Sequence, residues 1–390
     1  MNNIYAIFAE RFLRNPQQIC IETESGKKYS YADIEQETAR MARFFVSLGA
    51  NKGDRVAAKV EKSAEALFVY LAAVRAGLVY LPLNTAYQRG EKEYFLNDSQ
   101  PAIVICRPQS LETMQPLAQA AGCKHVFTLD ENSGGSLMDA IRDVPAEFET
   151  AQVEANDLAA ILYTSGTTGR SKGAMLSHKN LASNVRVLHN YWGFKPDDVL
   201  LHTLPIFHIH GLFVVANLNM YNGSKMFFLK KFDSSQLIDY IEKSTVFMGV
   251  PTYYVRLLTE AKFDKHLCRN MRLFVSGSAP LLQETFESFK QKTGHTILER
   301  YGMSETGMNT SNPYNGERKG GTVGLPLPGT NLRIADENNA PLPAGEIGGI
   351  QVKGDNVFSG YWRMPEKTRE EFTDDGYFKT GDVGKTDEQG

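Results

Sequence analysis

The chain has little cysteine for its 390 residues, and what it has is scattered. Cys20, Cys106, Cys123 and Cys268 form no C-x-x-C pair. That leaves no case for a disulfide scaffold and fits reduced thiols in a cytoplasmic protein. No apolar run approaches the roughly 18 residues of a membrane span. The first 18 residues place Ile4, Ile7, Phe8 and Phe12 at helical spacing, but they lack the continuous apolar block of a signal peptide. They read as an ordinary surface helix. Neither charge sign dominates: the net charge is −3, so neither nucleic acid nor a polybasic membrane contact is expected as a partner. There is no internal repeat, no long low-complexity tract, no G-x-S-x-G elbow, no H-E-x-x-H and no clustered Cys/His metal motif.

What is present is a globular composition, 42% hydrophobic and 22% charged. The length exceeds what one hydrophobic core serves, so two or three packed subdomains are expected. Helical and strand-like patterns alternate. Residues 62–76 carry Ala64, Leu67, Phe68, Leu71 and Val74 at helical spacing, with Gly77 behind them as a C-cap. Residues 78–83 and 102–106 read as buried strands. This alternation predicts an α/β fold with mostly parallel sheet. Residues 107–157 show the least pattern. Beyond about residue 320, glycine and proline become frequent and short alternating stretches follow, which predicts a small β-rich part.

The strongest chemical signal is Y-T-S-G-T-T-G-R-S-K-G at residues 163–173. It follows the apolar strand pattern of residues 158–162 and precedes a helix capped by Ser177, with Leu181, Val185 and Leu188 on one face. Glycines let backbone N–H groups approach phosphate oxygens. Five hydroxyls (Thr164, Ser165, Thr167, Thr168, Ser171) add donors, and Arg170 and Lys172 add positive charge where a triphosphate needs it. It is not a Walker A loop, because Lys172 is followed by Gly173 rather than by Ser or Thr.

This segment resembles the phosphate-binding signature of the adenylate-forming superfamily, which includes acyl-CoA synthetases, peptide-synthetase adenylation domains and luciferases. Further motifs follow in that family's order over essentially the whole chain. The resemblance implies two packed, mostly parallel αβ subdomains (roughly 1–150 and 151–318) plus a small distorted β-barrel subdomain (319–390). Together these would make one large N-terminal AMP-binding domain. It implies ATP and Mg²⁺ as ligands, with coenzyme A as co-substrate. Thr164, Ser165, Gly166, Thr167, Thr168, Gly169 and Lys172 would hold the nucleotide, and Thr164 would also help hold Mg²⁺.

The segment L-P-I-F-H-I-H-G at 204–211 resembles the next signature, in which His208 lines the acyl pocket and contacts the incoming carboxylate. A histidine in an apolar run is otherwise a common core residue, and for His210 the two readings stay open. The strand pattern of residues 273–276 ends in a small-residue turn, Gly277-Ser278-Ala279, which by resemblance flanks the adenine and the acyl pocket. E-R-Y-G-M-S-E-T-G at 299–307 resembles the most diagnostic motif. Glu299, Arg300, Tyr301, Gly302, Met303 and Ser304 would surround the nucleotide, Tyr301 would stack on adenine, Met303 would touch the acid, and Glu305 would hold Mg²⁺. Ser304 stands where the family more often has threonine and keeps the hydroxyl. In Y-F-K-T-G-D at 377–382, Asp382 would accept from both ribose hydroxyls.

The chemistry implied is acid activation. A carboxylate is already an anion and needs no general base; its difficulty is repulsion from the phosphates, which cations and positioning offset. His208, Glu305, Lys172 and Thr164 are the expected catalytic residues. Several stretches, L-P-L-N-T-A-Y at 81–87 and G-V-P-T-Y-Y-V-R at 249–256 among them, resemble the malonyl-CoA synthetase group. In that group the arginine of the second stretch, here Arg256, binds the distal carboxylate of malonate, and Ser278 would assist. Malonate, with methylmalonate tolerated, is the expected acid. Acetate, a fatty acid or an aromatic acid stays open, as does a nucleotide-binding module without ligase activity. By resemblance a smaller C-terminal domain with a catalytic lysine would follow residue 390. The sequence does not decide between monomer and homo-oligomer.

Overall fold

The computed structural model describes residues 2–164 and 170–390. Two large sheets and one small sheet carry the chain. In the six-stranded sheet the order is His125–Thr128, Ile103–Cys106, Arg55–Lys59, Val79–Pro82, Leu158–Thr164, Lys172–Ser177. Its neighbours are parallel except for the last pair. In the nine-stranded sheet, a parallel centre runs from Leu298–Met303 through Leu273–Ser276, Val246–Gly249, Val199–His202 and Lys225–Phe228 to Ile19–Thr23. Antiparallel strands close both ends: Gly307–Ser311 and Leu325–Pro326 at one, Lys28–Ser30 at the other. The β-rich last part is a three-stranded antiparallel sheet, Thr330–Ala335, Gly348–Gly354, Phe378–Gly384.

Sheet membership does not follow a cut at residue 150. Residues 19–30 belong to the nine-stranded sheet, and the hairpin of residues 158–177 completes the six-stranded one. Hydrogen-bonded pairing across more than 190 residues, such as Thr23 with Phe228, is invisible to local patterning.

Helix Ile4–Phe12 corrects the expectation of a surface helix. Ile4, Tyr5, Ile7, Phe8 and Phe12 are all buried, because Tyr5 extends the apolar stripe around the helix. Each fully buried side chain of this size contributes about 1.5–3 kcal/mol. Asn3 caps this helix and donates to the carbonyls of Val74 (2.9 Å) and Ala151 (3.0 Å), while Ile4 N–H donates to His178 Nδ1 at 3.1 Å. Helix Ala64–Arg75 is buried along its whole length, as a helix that is apolar nearly all round must be. The weakly patterned stretch of residues 107–157 contains helix Leu111–Ala120, edge strand His125–Thr128 and helix Ser136–Ile141. These elements bury few side chains, only Met114 and Ala118 in the first, so their sequence carries little periodicity. No described helix is long and apolar enough to cross a membrane.

Candidate active site

Loop residues Ser165, Gly166, Thr167, Thr168 and Gly169 lie outside the described residues. Their two flanks are well defined. Strand Leu158–Thr164 is followed by an antiparallel partner, Lys172–Ser177, with Thr164 opposite Lys172. The two flanking strands pair as a hairpin, and the helix expected to be capped by Ser177 begins at His178. Ser177 and Asn180 form the capping box that starts that helix. Arg170 stands over the Tyr94 ring at 5.8 Å.

Glu305 stands at the end of this hairpin, opposite Thr164. Its carboxylate is buried and accepts from Thr164 Oγ1 and Tyr361 Oη, both at 3.1 Å. Burial pushes its pKa up, opposed by those two hydroxyls and by Lys172. A buried carboxylate so placed gains most from a cation that favours its ionised form. The donors here are a carboxylate and a hydroxyl, the hard oxygens Mg²⁺ takes while keeping waters and phosphate oxygens for its other positions. Thr164 and Glu305 therefore fit the ion expected of them. Lys172 Nζ lies 4.4 Å from the Tyr361 ring centroid and 3.3 Å from Glu371 Oε1.

Sequence reasoning gave no role to Tyr361 or Glu371. Both arrive because the chain around residue 360 docks on the phosphate hairpin. Trp362 N–H donates to the Gly173 carbonyl (2.8 Å), and Met175 N–H donates to the Gly360 carbonyl (3.0 Å). No local spacing could reveal contacts between residues so far apart in sequence.

On the adjoining strand, Tyr301 Oη donates to Asp382 Oδ2 at 2.6 Å, joining two motifs 81 residues apart. Asp382 itself is exposed. Gly302 is required by close approach: an added Cβ would sit 2.1 Å from the Gly307 carbonyl oxygen. Met303 and Ser304 follow, half-buried, before the turn to Glu305.

The opposite face of this strand, which Arg300 occupies as the residue before Tyr301, differs in character. Arg300 is 2% exposed, and its Nε and Nη2 have no hydrogen-bond partner among the described residues. Burial lowers its pKa to about 10, but the guanidinium remains a cation at neutral pH. It packs flat on Gly277, where an added Cβ would lie 2.4 Å from Arg300 Cζ. Glu299, its neighbour in sequence, does not neutralise it: successive side chains of a strand face opposite sides, and Glu299 Oε1 accepts from Leu281 N–H at 2.9 Å. Next to Gly277, Ser278 adopts φ +70°, a strained value for a residue with a side chain. Its Oγ lies 3.4 Å from His210 Nδ1, and Ala279 follows, exposed.

His210 is buried, with Nε2 unpartnered. Burial, reinforced by the charge of Arg300, holds its pKa well below the usual range. Thus Arg300, Ser278 and His210 form a cluster with an unpaired positive charge. His208 is exposed beside them in sequence, with its pKa lowered by the surrounding protein.

Arg256 does not join this cluster. It is exposed on helix Pro251–Thr259, with its guanidinium 5.1 Å from the Phe232 ring centroid. The sequence pattern could not separate these two arginines, because burial rather than spacing distinguishes them.

Residues 8–362 match the AMP-binding enzyme family. The chain is 35% identical to a malonate–CoA ligase of Arabidopsis thaliana, over 94% of this chain and 66% of that protein. It is 33% identical to the mitochondrial malonate–CoA ligase ACSF3 of Bos taurus, over 95% of this chain and 70% of that one. The ATP-bound crystal structure of MatB from Rhodopseudomonas palustris superposes with a TM-score of 0.98 at 53% identity, over all of this chain and 78% of that one. This chain spans about two thirds of the length of the curated relatives. On this match, which covers most of its length, the chain belongs to the AMP-binding enzyme family.

Proposed function

We propose that this protein activates malonate as an acyl-adenylate with ATP and passes the acyl group to coenzyme A, as an acid–thiol ligase. The observation that carries the choice of acid is the buried, unpaired guanidinium of Arg300 beside Ser278 and His210. Two curated relatives named as malonate–CoA ligases support the same reading. An unpaired buried cation is costly unless a ligand anion meets it. The distal carboxylate of malonate supplies that anion, and acetate does not. Arg300 is therefore assigned the role that the sequence pattern suggested for Arg256. Methylmalonate differs from malonate by one methyl group, a change worth about 10–200-fold in such a pocket.

In this reading His208 meets the reacting carboxylate and Tyr301 lies against the adenine. Asp382 exchanges its bond from Tyr301 for the ribose hydroxyls. Lys172 leaves Glu371 for a phosphate oxygen, a stronger charge-assisted partner. The loop residues Ser165 to Gly169 and the turn Gly277–Ala279 approach the nucleotide through backbone groups. Mg²⁺, held by Glu305 and Thr164, would neutralise phosphate charge. The four cysteines are unpaired and buried, which supports a reducing compartment; the cytoplasm is the one proposed.

The test is AMP release with ATP, Mg²⁺ and coenzyme A, comparing malonate, methylmalonate, succinate, acetate and octanoate. Preference for malonate is expected. Preference for acetate or octanoate would remove malonate and keep the adenylation, and no AMP with any acid would overturn the reading.

A further inference from the structure

A cavity of about 810 Å³ has a wall that includes none of Glu305, Asp382 and Arg300. Val60, Lys62, Leu83, Phe207 and Tyr253 are among the residues of its wall. Lys62 is the chemically unusual one. It is 9% exposed, and its Nζ contacts His202 Nδ1 at 2.9 Å and the His202 carbonyl at 3.1 Å. His202 Nε2 lies 2.8 Å from the Gly211 carbonyl oxygen, which can only accept. That fixes the proton on Nε2 and leaves Nδ1 bare, so Lys62 must donate to it. Both N–H bonds of a neutral amine are then used, and its electron pair has no partner.

The charged groups around Lys62 do little to hold it as a cation. Glu24, just past strand Ile19–Thr23, acts on Lys62 without a hydrogen bond to it, with Oε2 already near Lys230 N (3.5 Å) and Gln236 Nε2 (3.4 Å). Glu61 is taken by Arg107 at 2.7 Å. The cavity wall carries charges of both signs, Lys230 and Lys231 with Glu24, Glu61, Glu131, Asp233 and Asp239, and Lys230 pairs with Glu131 at 3.4 Å. The Phe228 ring, 4.4 Å from Nζ, offers a weak cation partner. Burial outweighs the pull of Glu24 and holds the amine well below the usual lysine range. His202 is likewise kept neutral, first by burial and then by Lys62.

We propose that Lys62 is an acylation site: a neutral, nucleophilic amine on the cavity wall that takes an activated acyl group from a thioester or an acyl phosphate anhydride. The Nζ electron pair attacks the acyl carbon. An N–C bond forms as the C–S or C–O bond breaks, thiolate or AMP leaves, and the surplus proton on nitrogen passes to the leaving group or solvent. The amide product keeps one N–H, so one of the two bonds to His202 is lost. His202 anchors Gly211, where an added Cβ would lie 2.0 Å from the Pro205 carbonyl oxygen, so acylation loosens the tight loop that carries His208. The source of the acyl donor rests on the ligase reading above; the nucleophilicity of the amine does not.

The test begins with the wild-type chain, trace-labelled with acetic anhydride at pH 7, 8 and 9 and read by peptide mass spectrometry. An ordinary lysine titrating near 10.4 gains about a hundredfold in labelling over this span. Lys62 is expected to gain much less than that, since burial holds its amine well below the usual lysine range, and to label ahead of exposed lysines at pH 7. A parallel rise with pH, or no lead at pH 7, would overturn the proposal. A second arm incubates the chain with malonyl-CoA alone, or with ATP, Mg²⁺ and malonate without coenzyme A. A malonyl increment on the Lys62 peptide in the first assigns the thioester as donor; one in the second assigns the acyl phosphate. Lys62→Arg should remove either, and an increment in neither would overturn the proposal. Failure of the ligase reading alone would show as no AMP release with the increment from malonyl-CoA intact.

Discussion

Two regions beside strand Leu298–Met303, one around Glu305 and one around Arg300, handle buried charge in opposite ways. Toward Glu305, the polar groups partner one another: Thr164 and Tyr361 on Glu305, Tyr301 on Asp382, Lys172 on Glu371. Around Arg300 they do not: Arg300 Nε and Nη2, His210 Nε2, Ser276 Oγ and, on the neighbouring residue, Glu299 Oε2 are buried without partners among the described residues. The first region is electrostatically complete and can exchange its internal partners for a nucleotide. The second is incomplete, and the distal carboxylate of the proposed malonate would meet its cation. Buried polar groups are nearly always satisfied, so a cluster of exceptions on one face points to a missing partner.

The largest expected effect tests the complete region. Glu305→Gln removes the anionic oxygen placed for the metal. A metal's charge stabilisation is worth several kcal/mol, so AMP formation should fall by a hundredfold or more. Retention of near-normal AMP release would break the assignment of Glu305.

The incomplete region is tested by Arg300→Met. Removing one partner of a buried charge pair costs about 2–5 kcal/mol, so KM for malonate should rise by at least about thirtyfold while KM for ATP stays within a fewfold. The variant should also lose discrimination against acetate. Equal losses for both substrates would mean that Arg300 is structural.

His178 sharpens the contrast. Its Nε2 is another buried orphan, but Nδ1 accepts from the backbone of the N-terminal helix. Burial lowers its pKa to about 4, against about 6.5 for a free histidine. The unfolded chain therefore binds the extra proton between these values. The contribution is fully present above pH 6.5 and is lost as pH falls toward 4, by up to about 3 kcal/mol. Urea midpoints measured at pH 7.5 and 5 should show that loss, and His178→Gln should flatten it. An unchanged slope in the variant would sink the assignment.

The smallest effect expected is that of Arg256→Ala. An exposed arginine stacked on Phe232 contributes about 0.5–1 kcal/mol at most, so malonate kinetics should change by less than about fivefold. A loss as large as that of Arg300→Met would reverse the choice between the two arginines.

Much of the fold was legible because local chemistry imposes it. Helix Ala64–Arg75 begins at Ser63 and is followed by Gly77 at φ +72°, as its pattern implied. Ser177 starts its helix with a capping box, and Gly294 stops helix Gln283–Thr293 in the left-handed conformation. The hairpin strand Lys172–Ser177 was not legible, since a short half-buried edge strand carries little periodicity. Nor was the burial of helix Ile4–Phe12, which depends on what packs over it.

The sequence by itself determined the α/β class and the order of the motifs. Glycine turns, caps and strand patterns are local, and the chain writes them directly. Only the tertiary structure decided which arginine is buried without a partner, that Tyr361 joins Thr164 on Glu305, and that Lys62 rests on His202. Burial and long-range contact set the cost of a charge, and neither is a property of neighbouring residues in the chain.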